Sequence, residues 1–129
     1  MATYVNNLRL KEIATGAESG TWGTSTNTNL ELIGEGLGFA TVNIASDANA
    51  TETVADGSAD NARAMYIKVT SATLTATRTL TIAPNTIKRV HIIENASSGS
   101  QDIIIKQGSG STATIPNGKT KVVYLDGAG

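Results

Sequence analysis

Beyond residue 38 the residues able to do acid–base or metal chemistry are Asp47, Glu52, Asp56, Asp60, Glu94, Asp102, Asp126 and the lone histidine, His91. A glycosidase or protease needs two carboxylates, or a nucleophile and a base, brought together in a cleft. These acids fall mostly at turn positions, where an Asp caps or ends a strand through local backbone bonds. His91 stands inside "IKRVHIIE" with no partner at metal-ligand spacing. "DANATETVADGS" (47–58) places oxygens like a calcium loop, yet has Glu52 where that loop needs Gly and Ser58 where it needs Glu. "GSGST" (108–112) is glycine-rich, but no helix pattern follows it to offer amides to a phosphate, so it reads as a hairpin loop. No catalytic residue, cofactor or metal site is expected, and the chemistry to look for is binding.

Charge narrows the partners. Lys plus Arg number 10 against 11 Asp plus Glu, a net charge of -1, which leaves no electrostatic footprint for nucleic acid or an anionic membrane. No apolar run approaches the roughly 20 residues of a membrane helix, so no membrane insertion is expected. With no cysteine among its 129 residues, the chain has neither disulfides nor thiolate sites. Aromatics are 4% of the sequence against 40% hydrophobic residues overall, so the core must be built from Val, Ile, Leu and Ala.

Three patterns divide the chain. "TYVNNLRLKEI" reads as a short extended arm whose Leu8, Leu10 and Ile13 need outside contacts. Residues 24–37 form the one helix candidate, with Leu30, Ile33 and Leu37 at helical spacing and Thr28 to Glu31 matching a capping box. About three turns are marginal alone, so that stripe must dock onto something. From Phe39 onward short β-branched runs alternate with turn signals such as Asp56-Gly57, Pro84-Asn85 and Pro116-Asn117-Gly118. The expected fold is mainly β: a small antiparallel β-sandwich or barrel-like module over 39–129, preceded by the arm and helix of 1–38. In "RAMYIKVT" Met65, Ile67 and Val69 face one way, and Tyr66, Lys68 and Thr70 the other. The Ile103–Ile105 and Val122–Leu125 runs ask for burial on both faces, which points to a homo-oligomer. Threonines 73, 75, 77, 79 and 81 read as a solvated face of one strand.

Trp22, the only tryptophan, sits among Gly, Ser, Thr and Asn with little local surface to bury it. Its segment, "LRLKEIATGAESGTWGTSTNTNLELIGE", resembles the N-terminal region of tailed-bacteriophage fibre and fibre-like virion proteins, most specifically over Gly16 to Asn29. The later run, with "ENASSGSQ" and "IPNGKTKVVYLDG", resembles the β module that often follows it. The resemblance implies a non-enzymatic component of the virion surface, homotrimeric, fixed to the particle through its N-terminal region and engaged in host adsorption. Leu8, Leu10, Trp22, Leu30, Ile33 and Leu37 would then bury against neighbouring copies or a tail, adaptor or capsid socket, each worth about 1.5–3 kcal/mol. Tyr66 and the loop with Asn95, Ser97 and Ser98 are the candidates for outward recognition of a host surface glycan. Because the sequence stops at "YLDGAG", it fits either a short capsid decoration or head-fibre protein, or the anchor of a longer fibre. A carbohydrate-binding module is the remaining alternative.

Overall fold

A computed structural model describes residues 3–129. Its elements are β1 (Thr3–Val5), β2 (Leu10–Glu12), α1 (Trp22–Gly36), β3 (Phe39–Ile44), β4 (Ala50–Thr53), a 3₁₀ turn at Asn61–Arg63, β5 (Tyr66–Ser71), β6 (Arg78–Ala83), β7 (Lys88–Asn95), β8 (Ile103–Lys106), β9 (Thr112–Ile115) and β10 (Thr120–Asp126). The mainly β class and the single helix agree with the sequence. Two four-stranded sheets, ordered β10-β7-β5-β3 and β4-β6-β8-β9, enclose one aliphatic core, and no barrel closes.

Strand direction differs from the antiparallel expectation. From β3 to β8 the chain steps alternately between the sheets, so every second strand lies beside its predecessor in the same direction. β3, β5 and β7 pair in parallel, as do β4, β6 and β8. These six strands are three stacked rungs of a flattened coil. β9 and β10 run back antiparallel over the last rung. Turn residues alone do not distinguish a hairpin from a corner that changes sheets, because both need the same reversals.

Alternation decides which side chains enter the core. Val42, Ile44, Ile67, Val69, Ile93, Val123 and Leu125 from one sheet meet Leu80, Ile82, Ile103, Ile105 and Ile115 from the other. Only two of the five threonines lie in a strand: β6 begins at Arg78, and Thr75 lies in the corner before it, donating its amide and hydroxyl to Asp47.

The corners are stacked as regularly as the strands. Asn95 is wholly buried, with Nδ2 donating to the carbonyls of Gln101 (3.0 Å) and Ile115 (2.8 Å), while Oδ1 accepts from the amide and hydroxyl of Ser97. Asn117 then reaches back to the Ser97 carbonyl at 2.8 Å. At the opposite edge Gln107 donates to the Ile87 carbonyl at 2.8 Å and accepts from the Gly127 amide at 3.1 Å. Gly118, with φ 75°, takes the positive φ that the third position of a type II turn requires.

The expected N-terminal arm is a β1–β2 hairpin that packs within the chain. Arg9 pairs with Asp56 at 2.7 Å, and Asn7 Oδ1 accepts the Lys88 amide at 2.7 Å. Asn29 lies along β2 like a missing strand, accepting the Lys11 amide at 3.1 Å and donating to its carbonyl at 3.0 Å. The helix starts at Trp22, earlier than predicted, and Thr28 with Glu31 falls inside it, so the capping box is not used. Thr21 occupies the N-cap position without a side-chain capping bond.

Candidate assembly surface

The helix buries a different face from the one its leucines suggest. Ser25, Asn29, Leu32 and Gly36 recur at helical spacing and turn inward: Ser25 accepts from Lys11 Nζ, Asn29 holds β2, Leu32 is buried, and Gly36 is packed on Leu8. Arg89 fixes the helix end by donating to the Gly36 carbonyl at 2.9 Å. The predicted stripe of Leu30, Ile33 and Leu37 therefore looks outward, with Trp22 in line with it and 61% exposed. Leu8 and Leu10 are half-buried in the hairpin, and Leu8 packs against Gly36 within the chain.

The sheet of β10-β7-β5-β3 carries a second apolar group on its outer face. Register aligns Phe39 with Tyr66, Tyr66 with Ile92, and Ile92 with Val122, one row across all four strands. Val90 and Tyr124 form a neighbouring pair, Tyr124 being 77% exposed. The rings of Phe39 and Tyr66 stack with centroids 5.5 Å apart and planes 24° from parallel. Tyr66 is further held by its hydroxyl, which donates to Glu94 at 3.2 Å.

The two groups join at Leu37. A cleft of about 560 Å³ runs between Leu37, Phe39, Met65, Tyr66 and Ile92, with Lys68 and Glu94 at its rim. Among the described residues, every large apolar side chain that stands exposed belongs to the helix stripe or this sheet face: Trp22, Leu30, Ile33, Leu37, Phe39, Val90, Val122 and Tyr124. None comes from the outer face of the β4-β6-β8-β9 sheet, where Thr51, Thr53, Thr112 and Thr114 stand exposed. Taken together the exposed parts of these eight residues come to on the order of 900 Å², shared between the helix stripe and the sheet face, against the roughly 300–600 Å² of the largest patch on a typical monomer.

The proposed outward loop is in large part an inner staple. Asn95 and Ser97 are buried and spend their polar atoms on each other and on backbone carbonyls, so neither can reach a host glycan. Ser98 is exposed, with its amide bonded to Ser71 Oγ. Tyr66 does lie on an outer face, its ring partly covered by Phe39. Val122 and Tyr124 belong to the run whose two apolar faces the sequence marked, whereas Phe39, Val90 and Ile92 were not anticipated beside them, because which parity faces solvent is set by the partner sheet.

The charged groups act on the fold. Asp47 accepts from Thr75 and from Arg78 at 2.8 Å, and those bonds, Thr75 foremost, hold its carboxyl below the usual range. Arg63 is wholly buried, donating to the carbonyls of Ala55 (2.7 Å) and Ser58 (2.8 Å) and pairing with Asp60 at 3.1 Å. Its carbonyl in turn accepts from Arg89. His91 lies inward with Nδ1 at 2.7 Å from the Ala64 carbonyl; burial, then the nearby Arg89 charge, push its imidazole down to about 4.

No protein-family model, curated protein or solved structure matches this chain. Among the described residues, no helix is long and apolar enough to cross a membrane.

Proposed function

We propose that the protein is a non-enzymatic structural component of a bacteriophage virion, a fibre or the anchor of one, which assembles through the helix stripe and the outer face of the β10-β7-β5-β3 sheet. The observation carrying this reading is the confinement of the exposed large apolar side chains to the helix stripe and one sheet face, which meet at Leu37. A surface of that size, on a coil otherwise closed by its own corners, suits permanent association better than reversible capture of a small ligand. The second support is the resemblance of the Gly16–Asn29 segment to virion fibre proteins, which points to a homotrimer on the particle surface with a role in host adsorption. Trp22 lies within that segment and Leu30 and Ile33 follow it, and all three are free to meet a neighbouring copy or a mount.

Antibody labelling of purified particles, made with the gene intact and with it deleted, tests the reading. Labelled fibres at the tail or at a few vertices, lost on deletion along with adsorption, are expected. A shell labelled in hundreds of copies would replace the fibre with a capsid decoration protein. Absence from purified particles would overturn the virion assignment altogether.

A further inference from the structure

We infer that β10 pairs with β10 of a second copy of this chain, antiparallel and about a two-fold axis at Val123, so that two sheets join edge to edge into one. The contact goes beyond the virion reading and does not use the helix stripe, which stays free for a mount or a further neighbour. Among the sheet edges, β3 and β4 lie against the Asn61–Arg63 turn. β9 has only four residues, and its Thr114 carbonyl is taken by Lys121 Nζ at 2.7 Å. β10 is the longest edge, seven residues without proline or glycine, and among the described residues no strand lies on its far side. A bare edge of that kind is a template for another strand.

Hydrogen-bond parity fixes what the edge offers. The Asn95 amide donates to the Lys119 carbonyl at 2.9 Å, and the Asn95 carbonyl accepts the Gly118 amide at 2.9 Å. Lys121, Val123 and Leu125 continue that bonded series along β7, opposite Ile93, His91 and Arg89. Thr120, Val122, Tyr124 and Asp126 therefore aim their amides and carbonyls away from β7, and all four residues are exposed.

The strand matches its own copy. With Val123 on the axis, Thr120 lies opposite Asp126 and Val122 opposite Tyr124, each pair occurring twice, and every outward amide and carbonyl meets a partner. On the outer face Val122 against Tyr124 is an aromatic and β-branched pair, while Thr120 brings a hydroxyl to the Asp126 carboxylate. The row of Phe39, Tyr66, Ile92 and Val122 then runs on into Tyr124 and Val90 of the second copy. No like charges face each other, since Lys121 lies opposite Leu125. On the inner face Val123 and Leu125 are the most exposed members of the core, at 8% and 6%, beside a cavity of about 350 Å³ between β9 and β10. The axis sets Val123 against its own counterpart and closes that thin end of the core. A strand of unrelated sequence would satisfy the backbone without this repeated side-chain match.

Because the chain has no cysteine, one introduced thiol reports the axis. Full-length Val123→Cys should cross-link to itself on oxidation, because directly opposite antiparallel residues hold their Cβ atoms about 4.5–5.5 Å apart. Thr120→Cys should not, since the strand from residue 120 to residue 126, about 20 Å, separates it from its counterpart. In the unmodified protein the Val122 and Tyr124 amides should exchange slowly when sedimentation shows associated copies, and at least about tenfold faster on dilution to monomer. Val122→Pro removes an edge donor and leaves the β7 ladder whole, so it should weaken association roughly tenfold with circular dichroism unchanged. Free exchange at those two amides in an oligomer that Leu30→Ala dissolves overturns the β10 pairing and leaves the assembly reading standing. A monomer at every concentration overturns the pairing as well, and particle labelling still decides the virion reading.

Discussion

Asn95 on β7 donates at 2.8 Å to the carbonyl of Ile115, tying the third rung of the coil to the antiparallel pair that closes it. With Gln101 and Ser97 also engaged, all the hydrogen-bonding capacity of one buried amide is spent on joining consecutive corners. The side chain that the sequence offers for outward recognition is therefore a structural bolt.

Asn95→Ala leaves two buried carbonyls without a donor, so it is expected to cost about 2–4 kcal/mol in urea unfolding. Asn95→Asp should also destabilise, since a carboxylate cannot donate to those carbonyls. Ser98→Ala, on the exposed side of the same loop, should change stability by less than about 0.5 kcal/mol.

The helix supplies a matched pair. Leu32→Ala removes a buried side chain and should cost about 2–5 kcal/mol of folding stability in denaturant titration. Leu30→Ala should leave stability of the isolated chain within about 0.5 kcal/mol and reduce association seen by sedimentation. As Trp22 is the only tryptophan, its fluorescence should be red-shifted in dilute protein and move to the blue as copies associate.

Arg63→Met should destabilise by about 3–5 kcal/mol, because it strips Asp60 of its buried counter-charge and frees the Ala55 and Ser58 carbonyls. The loop of residues 54–64 should then show faster amide exchange than β5 and β7, which keep their ladder.

His91 sets a pH dependence. Its folded pKa, about 4, lies below the ordinary 6.5, so the unfolded chain binds the extra proton between those values. Stability should be full above pH 6.5 and fall as pH drops toward 4, by on the order of 3 kcal/mol. His91→Gln should flatten that window in chemical unfolding. Asp47, whose pKa is lowered from 3.8, adds its own loss only at more acidic pH, as its carboxylate is protonated in both states.

Much of this architecture was legible in the residues. The period-two pattern sorted inner from outer side chains correctly over Tyr66 to Thr70, while Met65, expected inward, lines the outer cleft, and Leu30, Ile33 and Leu37 do form a stripe along the helix. Parallel pairing was not legible, because each strand's neighbour lies a whole rung away and turn chemistry is the same for hairpins and corners. Nor was the direction of the stripe. Polar Ser25 and Asn29, with Leu32 and Gly36, won the inner face through hydrogen bonds to β2 and close packing on Leu8, contacts that hydrophobicity alone does not anticipate.

By itself the sequence determined composition, charge, the β-rich segments and the existence of one short amphipathic helix, since each follows from local propensity and periodicity. Only the tertiary structure decided that the strands coil in parallel rungs, that Asn95 and Ser97 turn inward, and that the helix stripe and a row from Phe39 to Val122 share one exposed surface. Those outcomes depend on which distant backbone each side chain meets, and that is fixed by long-range register and burial rather than by neighbours along the chain.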